Sequence, residues 1–287
     1  MAGHWHPTES CVKSAPTLPD DVLREIFAFC VSCTDDSVCH MRYWKSLVQV
    51  CTRWREIIYA SQHYLGLYLY LSNGDNVEEI IDSWPEFPVV VDFAYVPDED
   101  EDEDEATSLR DALAQRDRIR RIQIVMTVVQ VGWFAELMED EFPRLMHLDL
   151  VGYPKYDPIN VPNIALDGFL GGSAPSLQHL CIEDFDYFGL PLLVSSAPNL
   201  VSLQIKDIRL DCYESPEVMI GALAGLTKLR DLCIAFSPSI HTDDFWYAKV
   251  FLSSHTPTHA VFPALAKLQI EGDNEYMEDL INLIEAP

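Results

Sequence analysis

From residue 17 to about residue 62, apolar positions recur at helical spacing. Val22, Ile26 and Phe29 fall at i, i+4 and i+7, with Leu23, Phe27 and Cys30 beside them, which predicts a helix of roughly three turns with a wide apolar face. Leu18-Pro19 opens it, the proline sitting where its missing N–H does no harm, and Asp20 and Asp21 follow against the positive end of the helix dipole. After a polar loop from Ser32 to Arg42, residues Leu47, Val50, Cys51, Trp54, Ile57 and Ile58 repeat at the same period, with Lys45, Gln49, Arg53, Arg55 and Glu56 opposite. Two or three short helices fit this stretch. So small a unit buries little by itself, and part of its apolar surface is expected to face a partner.

From residue 63 the period changes. An aliphatic residue, two variable ones, an aliphatic, one variable and an aliphatic recur as Ile119/Ile122/Ile124, Leu145/Leu148/Leu150, Leu177/Leu180/Ile182, Leu200/Leu203/Ile205, Leu229/Leu232/Ile234 and Leu265/Leu268/Ile270. The composition in Leu and Ile makes about 1.6 such windows expected by chance, so the six copies mark an internal repeat. Pro143, Pro175, Pro198 and Pro263 stand two positions before the first anchor, where a residue that cannot donate to a ladder suits the turn feeding a strand. Helix-compatible stretches lie between: Ser108–Gln115, Trp133–Met138, Leu190–Ser196, Pro216–Leu226 and Tyr276–Ile284. Leu65/Leu67/Leu69/Leu71 and Val89/Val91/Phe93 alternate at period two and add two strands before the first full repeat. The repeat length, about 29 residues on average, is at the upper edge of leucine-rich repeats, and the array is expected to be irregular.

The fold expected is therefore α/β: a short N-terminal helical unit, then an irregular leucine-rich solenoid with parallel strands on the concave face and helices on the convex face. Anchors point into the core and the residues between them point outward, so side chains from successive units align in rows. The rows would hold Arg121 and Gln123, His147 and Asp149, His179, Cys181 and Glu183, Ser202, Gln204 and Lys206, Asp231 and Cys233, then Lys267, Gln269 and Glu271. Their mixed polarity suits a protein target, although any single one reads equally as a solvated strand residue.

Charge narrows the choice of partner. The 287 residues carry a formal net charge of −27 with a sequence pI near 4.4, which disfavours phosphate backbones and anionic lipid, so neither nucleic acid nor membrane is expected as a partner. Asp98 to Glu105 are eight consecutive acidic residues and are expected to form a solvated loop inside the array. Residues 1–16 lack periodicity and are expected to be a disordered tail. No window is apolar enough to span a bilayer and the first residues are no secretory signal. Eight cysteines and no Asn-x-Ser/Thr sequon fit a reducing compartment, so the expected location is intracellular, cytoplasm or nucleus.

No catalytic constellation emerges. Gly-x-Ser-x-Gly, His-Glu-x-x-His and glycine-rich phosphate loops are missing. Cys30-x-x-Cys33 with Cys39-His40 has the ingredients of a zinc site, but the second Cys-x-x-Cys pair is absent and packing cysteines are the simpler reading. The expectation is a non-enzyme with no cofactor and no metal.

The blocks "LPDDVLREIFAFC" and "LVQVCTRWREIIYAS" resemble the F-box motif in their Leu-Pro opening, Val-Leu-x-x-Ile-Phe helix and Val-Cys-x-x-Trp second half. The remainder, with "WPEFPVVV", "FLGGSAPSLQHL", "APNLVSL" and "VFPALAKL", is similar to the degenerate leucine-rich arrays of the large F-box families of mushroom-forming fungi. The resemblance implies a substrate receptor of an SCF-type ubiquitin ligase. Its F-box, residues 17–62, would dock on a Skp-type adaptor, and through it on cullin and RING protein, by Leu18, Pro19, Val22, Leu23, Ile26, Phe27, Val50, Cys51 and Trp54. The repeats, residues 63–287, would hold an unidentified protein target by Arg121, Gln123, His147, Asp149, His179, Glu183, Gln204, Lys206, Asp231, Lys267 and Gln269. A repeat scaffold without a ubiquitin-ligase role is the alternative. Two departures accompany the resemblance. The Asn or Cys that the family places eight residues after the first anchor is replaced by Tyr153, Phe185, Ile208, Ser237 and Asp273, so the turns must be satisfied differently. The chain also stops at Ala286-Pro287 without a polar capping repeat, as a C-terminally truncated array would.

Overall fold

The computed structural model describes residues 18–32, 44–84, 86–94, 103–127, 130–152, 168–184, 190–208, 215–236, 259–272 and 275–285. The chain divides into two compact units, Met1–Leu67 and Tyr68–Pro287.

In the first unit, α1 (Asp20–Ser32), a helical turn at 44–48 and α2 (Thr52–Ala60) follow one another. Leu23, Phe27 and Val31 lie on one stripe of α1 and are buried, as are Trp44, Val48, Ile57 and Ile58. Phe27 meets the Trp54 ring edge-on, with centroids 4.9 Å apart. The Arg53 guanidinium donates to Asp20 Oδ1 from Nε (3.1 Å) and Nη2 (2.6 Å), and Nη2 also reaches the Leu18 carbonyl at 2.5 Å. That fork ties the first turn of α1 to α2 and accounts for a cation that the helical pattern left on the polar side. The strand expected from Leu65 begins only at Leu69. Residues 61–66 instead extend the helical path, with Leu65 N–H donating to the Ser61 carbonyl (2.9 Å), and Gly66 ends it at φ 60°, a conformation that suits glycine.

The second unit is α/β, built on an eight-stranded parallel sheet. Its strands are β1 (Leu69–Ser72), β2 (Val89–Phe93), β3 (Ile119–Met126), β4 (His147–Gly152), β5 (His179–Glu183), β6 (Ser202–Ile208), β7 (Asp231–Phe236) and β9 (Lys267–Glu271). They lie in chain order with β1 and β9 at the edges, so the sheet is open and not a barrel. Parallel neighbours need crossovers. Those supplied by described helices are α3 (Val77–Ser83), α4 (Glu103–Leu113), α5 (Val131–Leu137), α6 (Leu190–Ser196) and α7 (Pro216–Leu223). After β9, α8 (Glu275–Asn282) leads to β10 (Ile284–Glu285), which pairs in parallel with β8 (Ala260–Val261). The helix predicted to Ile284 thus ends at Asn282, because Ile284 enters a ladder. At the other end of the array, α4 starts at Glu103, inside the acidic run expected to be loop. Carboxylates in a first helical turn are favoured by the macrodipole, which offsets part of their mutual repulsion. Residues 98–102 lie outside the described residues.

The repeat template is the register of the sheet. Ile122, Leu148, Leu180, Leu203, Leu232 and Leu268 pair strand to strand, and so do Ile124, Leu150, Ile182, Ile205, Ile234 and Ile270. All anchors from Ile119 to Ile234 are buried, whereas on the edge strand β9 Leu268 is 41% exposed. Each first anchor closes a four-residue turn: Leu145 N–H donates to Phe142, Leu177 to Ala174, Leu200 to Ala197, Leu229 to Leu226 and Leu265 to Phe262. In four of these the repeat proline is the second turn residue, where its fixed φ is pre-set. One backbone N–H per unit then donates to the unit before it, in the series Ala266, Arg230, Val201, Gln178, Met146 and Arg120.

The side-chain ladder that replaces the missing asparagines lies at these turns. Ser176 Oγ donates to the Pro143 carbonyl (2.6 Å), Asn199 Nδ2 to the Pro175 carbonyl (2.7 Å), and Lys228 Nζ to Asn199 Oδ1 (2.6 Å). Of the positions where the family places Asn or Cys, 153, 185, 237 and 273 lie outside the described residues, and Ile208 ends β6.

Leu203 sits in the middle of the anchor row and is fully buried, so Leu203→Ala is expected to destabilise the chain by about 3 kcal/mol. Gln204→Ala, one residue along and facing outward, should change stability by less than about 0.5 kcal/mol. Arg118 donates to the Phe87 (2.9 Å) and Trp84 (2.6 Å) carbonyls, and Arg118→Ala should cost about 2 kcal/mol. Urea denaturation of the three variants checks the order.

Candidate functional site

Two surfaces concentrate the residues singled out by sequence. In the first unit Val22 and Ile26 are 39% and 40% exposed, Leu18 and Phe29 are also exposed, and Val50 is 59% exposed. Pro19 and Cys51 are exposed, and Trp54 is half-buried against Phe27. Leu23 and Phe27, predicted with them as contacts, lie in the core. The helix therefore has two apolar stripes: Leu23, Phe27 and Val31 face inward, while Val22, Ile26 and Phe29 stay in solvent. Helical period separates the stripes, but hydrophobicity alone could not say which of them the chain covers.

The second surface is the outward side of the sheet. The structure places every predicted target-surface residue in three aligned rows. The first runs Arg121, His147, His179, Ser202, Asp231 and Lys267, and the second Gln123, Asp149, Cys181, Gln204, Cys233 and Gln269. The third is Val125, Val151, Glu183, Lys206, Ala235 and Glu271. Register extends the first row to Tyr70 and Val90 and the second to Ser72 and Asp92, residues that the sequence reading did not include. The alternation in β1 and β2 carried that signal. The Tyr70 hydroxyl donates to the Asp92 carboxylate.

Charges in the rows are paired across strands. Arg121 donates to Asp149 (2.8 Å) and Gln123 (3.1 Å), Lys206 to Glu183 (3.4 Å), and Gln269 to Glu271 (2.5 Å). His147 and His179 stack face to face, with centroids 4.4 Å apart and planes 6° from parallel. Burial, then the neighbouring His179 and Arg121, hold the His147 imidazole below its ordinary value against the opposing pull of Asp149. Burial pushes the Cys181 thiol up to about 11.

Among the described residues, one set of three potential ligand groups converges: Glu183, Asp184 and Asp207, at the ends of β5 and β6. Lys206 already bonds Glu183, and Asp184 N–H donates to the Lys206 carbonyl (3.1 Å). Of the candidate thiol cluster, Cys30 is half-buried on α1, while Cys33, Cys39 and His40 lie outside the described residues. The arrangement as a whole offers hydrogen-bonding and stacking groups for recognition. No protein-family model, curated protein or solved structure matches the chain.

A thiol with a pKa near 11 is ionised in only about one molecule per thousand at pH 8. Cys181 should therefore be alkylated far more slowly than the exposed Cys51, and its rate should climb roughly tenfold per pH unit between pH 8 and 10. Peptide mapping after timed iodoacetamide treatment reads both sites.

Proposed function

We propose that the protein is a non-catalytic adaptor of the F-box and leucine-rich-repeat type. Its first unit docks on a Skp-type adaptor of an SCF ubiquitin ligase, and its strand face, the concave side of an irregular solenoid, holds a protein target. The observation that carries this reading is the solvent-facing stripe Val22, Ile26 and Phe29 on α1, with Leu18 and Val50 exposed in the same unit. A unit that already buries Leu23, Phe27, Trp44 and Ile58 has no folding need for a second greasy stripe, and a partner helix gains by covering it. Parallel strands in chain order and anchors in register support the repeat reading.

Such a protein works by proximity. It raises the local concentration of a target beside a ubiquitin-charged enzyme, and no residue of its own has to make or break a bond. The adaptor contacts are Leu18, Pro19, Val22, Ile26, Val50 and Cys51, with the accessible edge of Trp54; Leu23 and Phe27 support them from beneath.

Val22→Asp together with Ile26→Asp should lower adaptor affinity at least about a hundredfold while leaving the melting temperature within a few degrees, since both side chains are exposed. Co-purification with a Skp-type adaptor and a cullin, followed by titration of the purified adaptor, checks it. Undiminished binding by the folded double variant would sink the assignment, and adaptor recovered without cullin would remove the ligase role.

A further inference from the structure

Two imidazoles from adjacent strands rarely need each other for packing, and the His147–His179 pair sits where the strand face is otherwise locked by ion pairs. His147 lies between Arg121 on β3 and His179 on β5, with Asp149 two residues along its own strand. Cys181 and Glu183 share β5 with His179, and Ser202 is its neighbour on β6, the strand that also carries Lys206. The two rings are parallel to within 6° at 4.4 Å, a separation that neutral imidazoles tolerate and two imidazolium ions oppose. Arg121 sets a further positive charge beside His147, and its own partner Asp149 is already engaged at 2.8 Å.

We propose that the stacked His147–His179 pair is a proton-operated joint in the strand face, closed and uncharged near neutral pH and forced apart when both rings carry a proton. The first proton enters a pair that shares it across the stack. The second enters against the first and against Arg121, so the rings titrate as one coupled unit in two separated steps. The direction at His147 agrees: burial, His179 and Arg121 all favour its neutral form. A histidine depressed in the folded state contributes stability that is present above its ordinary value of 6.5 and is lost as the pH falls through the folded value. Opening the joint changes the middle of the first row from two neutral planar rings into a cationic pair. A bound segment that covers the rings in their closed form is then released by acid. That consequence rests on reading the strand face as the recognition surface, whereas the titration of the pair does not.

The full chain, labelled with ¹³C in its histidine rings, is titrated by NMR from pH 8 to 4.5, with His147→Phe and His179→Phe assigning the two signals. Each ring signal should inflect at both midpoints, the second at least about one pH unit below the first. In His179→Phe, which keeps a ring in place but removes the partner proton, His147 should show one inflection moved upward. Thermal melts followed by circular dichroism should show the wild type losing stability between pH 7 and 5 more steeply than His147→Phe. Single independent inflections, unmoved by substitution of the other ring, would overturn the proposal; should His179→Phe fold poorly, His179→Gln and the wild-type curve decide it. Adaptor binding through the first unit is untouched by either histidine change, so a failure here and a failure of the adaptor assignment are read separately.

Discussion

The second unit depends on stacking identical aliphatic positions at the strand spacing. Successive strands lie about 4.8 Å apart, and the pairing of Ile122, Leu148, Leu180, Leu203, Leu232 and Leu268 places one branched side chain on the next along the whole row. A slip of one residue in any strand would turn its anchors into solvent and bury polar groups such as Asp149 or Lys206, so the register is heavily over-determined. The turn ahead of each strand reinforces it. The first anchor closes a turn, and the next residue donates to the preceding unit, so the position of each strand is set before its first ladder bond forms. The edge shows the reverse: β9 has a neighbour on one side only, and Leu268 is 41% exposed where its counterparts are covered.

A fixed register also decides what the outward side can be. In the three rows from β3 to β9, Arg121, Lys206 and Lys267 stand against Asp149, Glu183, Asp231 and Glu271, a near balance in a chain with a net charge of −27. The acidic excess therefore lies elsewhere, including the first turns of α3 and the run that opens α4. Cross-strand pairing of Arg121 with Asp149 and of Lys206 with Glu183 leaves a face whose free groups are mostly amides, thiols, aliphatics and two imidazoles. Such a face discriminates by shape and hydrogen bonding, with the charged pairs setting orientation, and gains little from long-range steering.

Most of this architecture was legible because period two and period 3.6 are both loud signals when one side of an element is buried. The six anchor triplets gave the strands and the outward rows together, and Leu190–Ser196 was delimited to the residue. The failures have local causes. Leu65 and Leu67 alternate like a strand, yet the Ser61–Leu65 bond and the left-handed Gly66 keep residues 61–66 in a helical tail, a choice that alternation cannot register. The acidic run reads as loop on charge alone, while Ala106, Leu109, Ala112 and Leu113 bury the face that pulls Glu103–Glu105 into α4. The Ser176–Asn199–Lys228 ladder was invisible for a different reason: it is made by residues at one turn position that share no side-chain type, only geometry.

The first unit shows the limit of the hydrophobic pattern most sharply. Leu23 and Val22 are neighbours of similar character, and so are Phe27 and Ile26, but one of each pair is buried and the other is exposed. Pattern predicts that the helix has more apolar arc than one contact needs; it does not say which part of the arc the chain keeps. Arg53 supplies the missing information. By gripping Asp20 and the Leu18 carbonyl it fixes the rotation of α1 about its own axis relative to α2, and that rotation turns Phe27 onto Trp54 and leaves Val22 and Ile26 facing out. An exposed cation thus determines which apolar residues are available to a partner, although its ion pair, solvent-accessible on both sides, adds little to stability in itself.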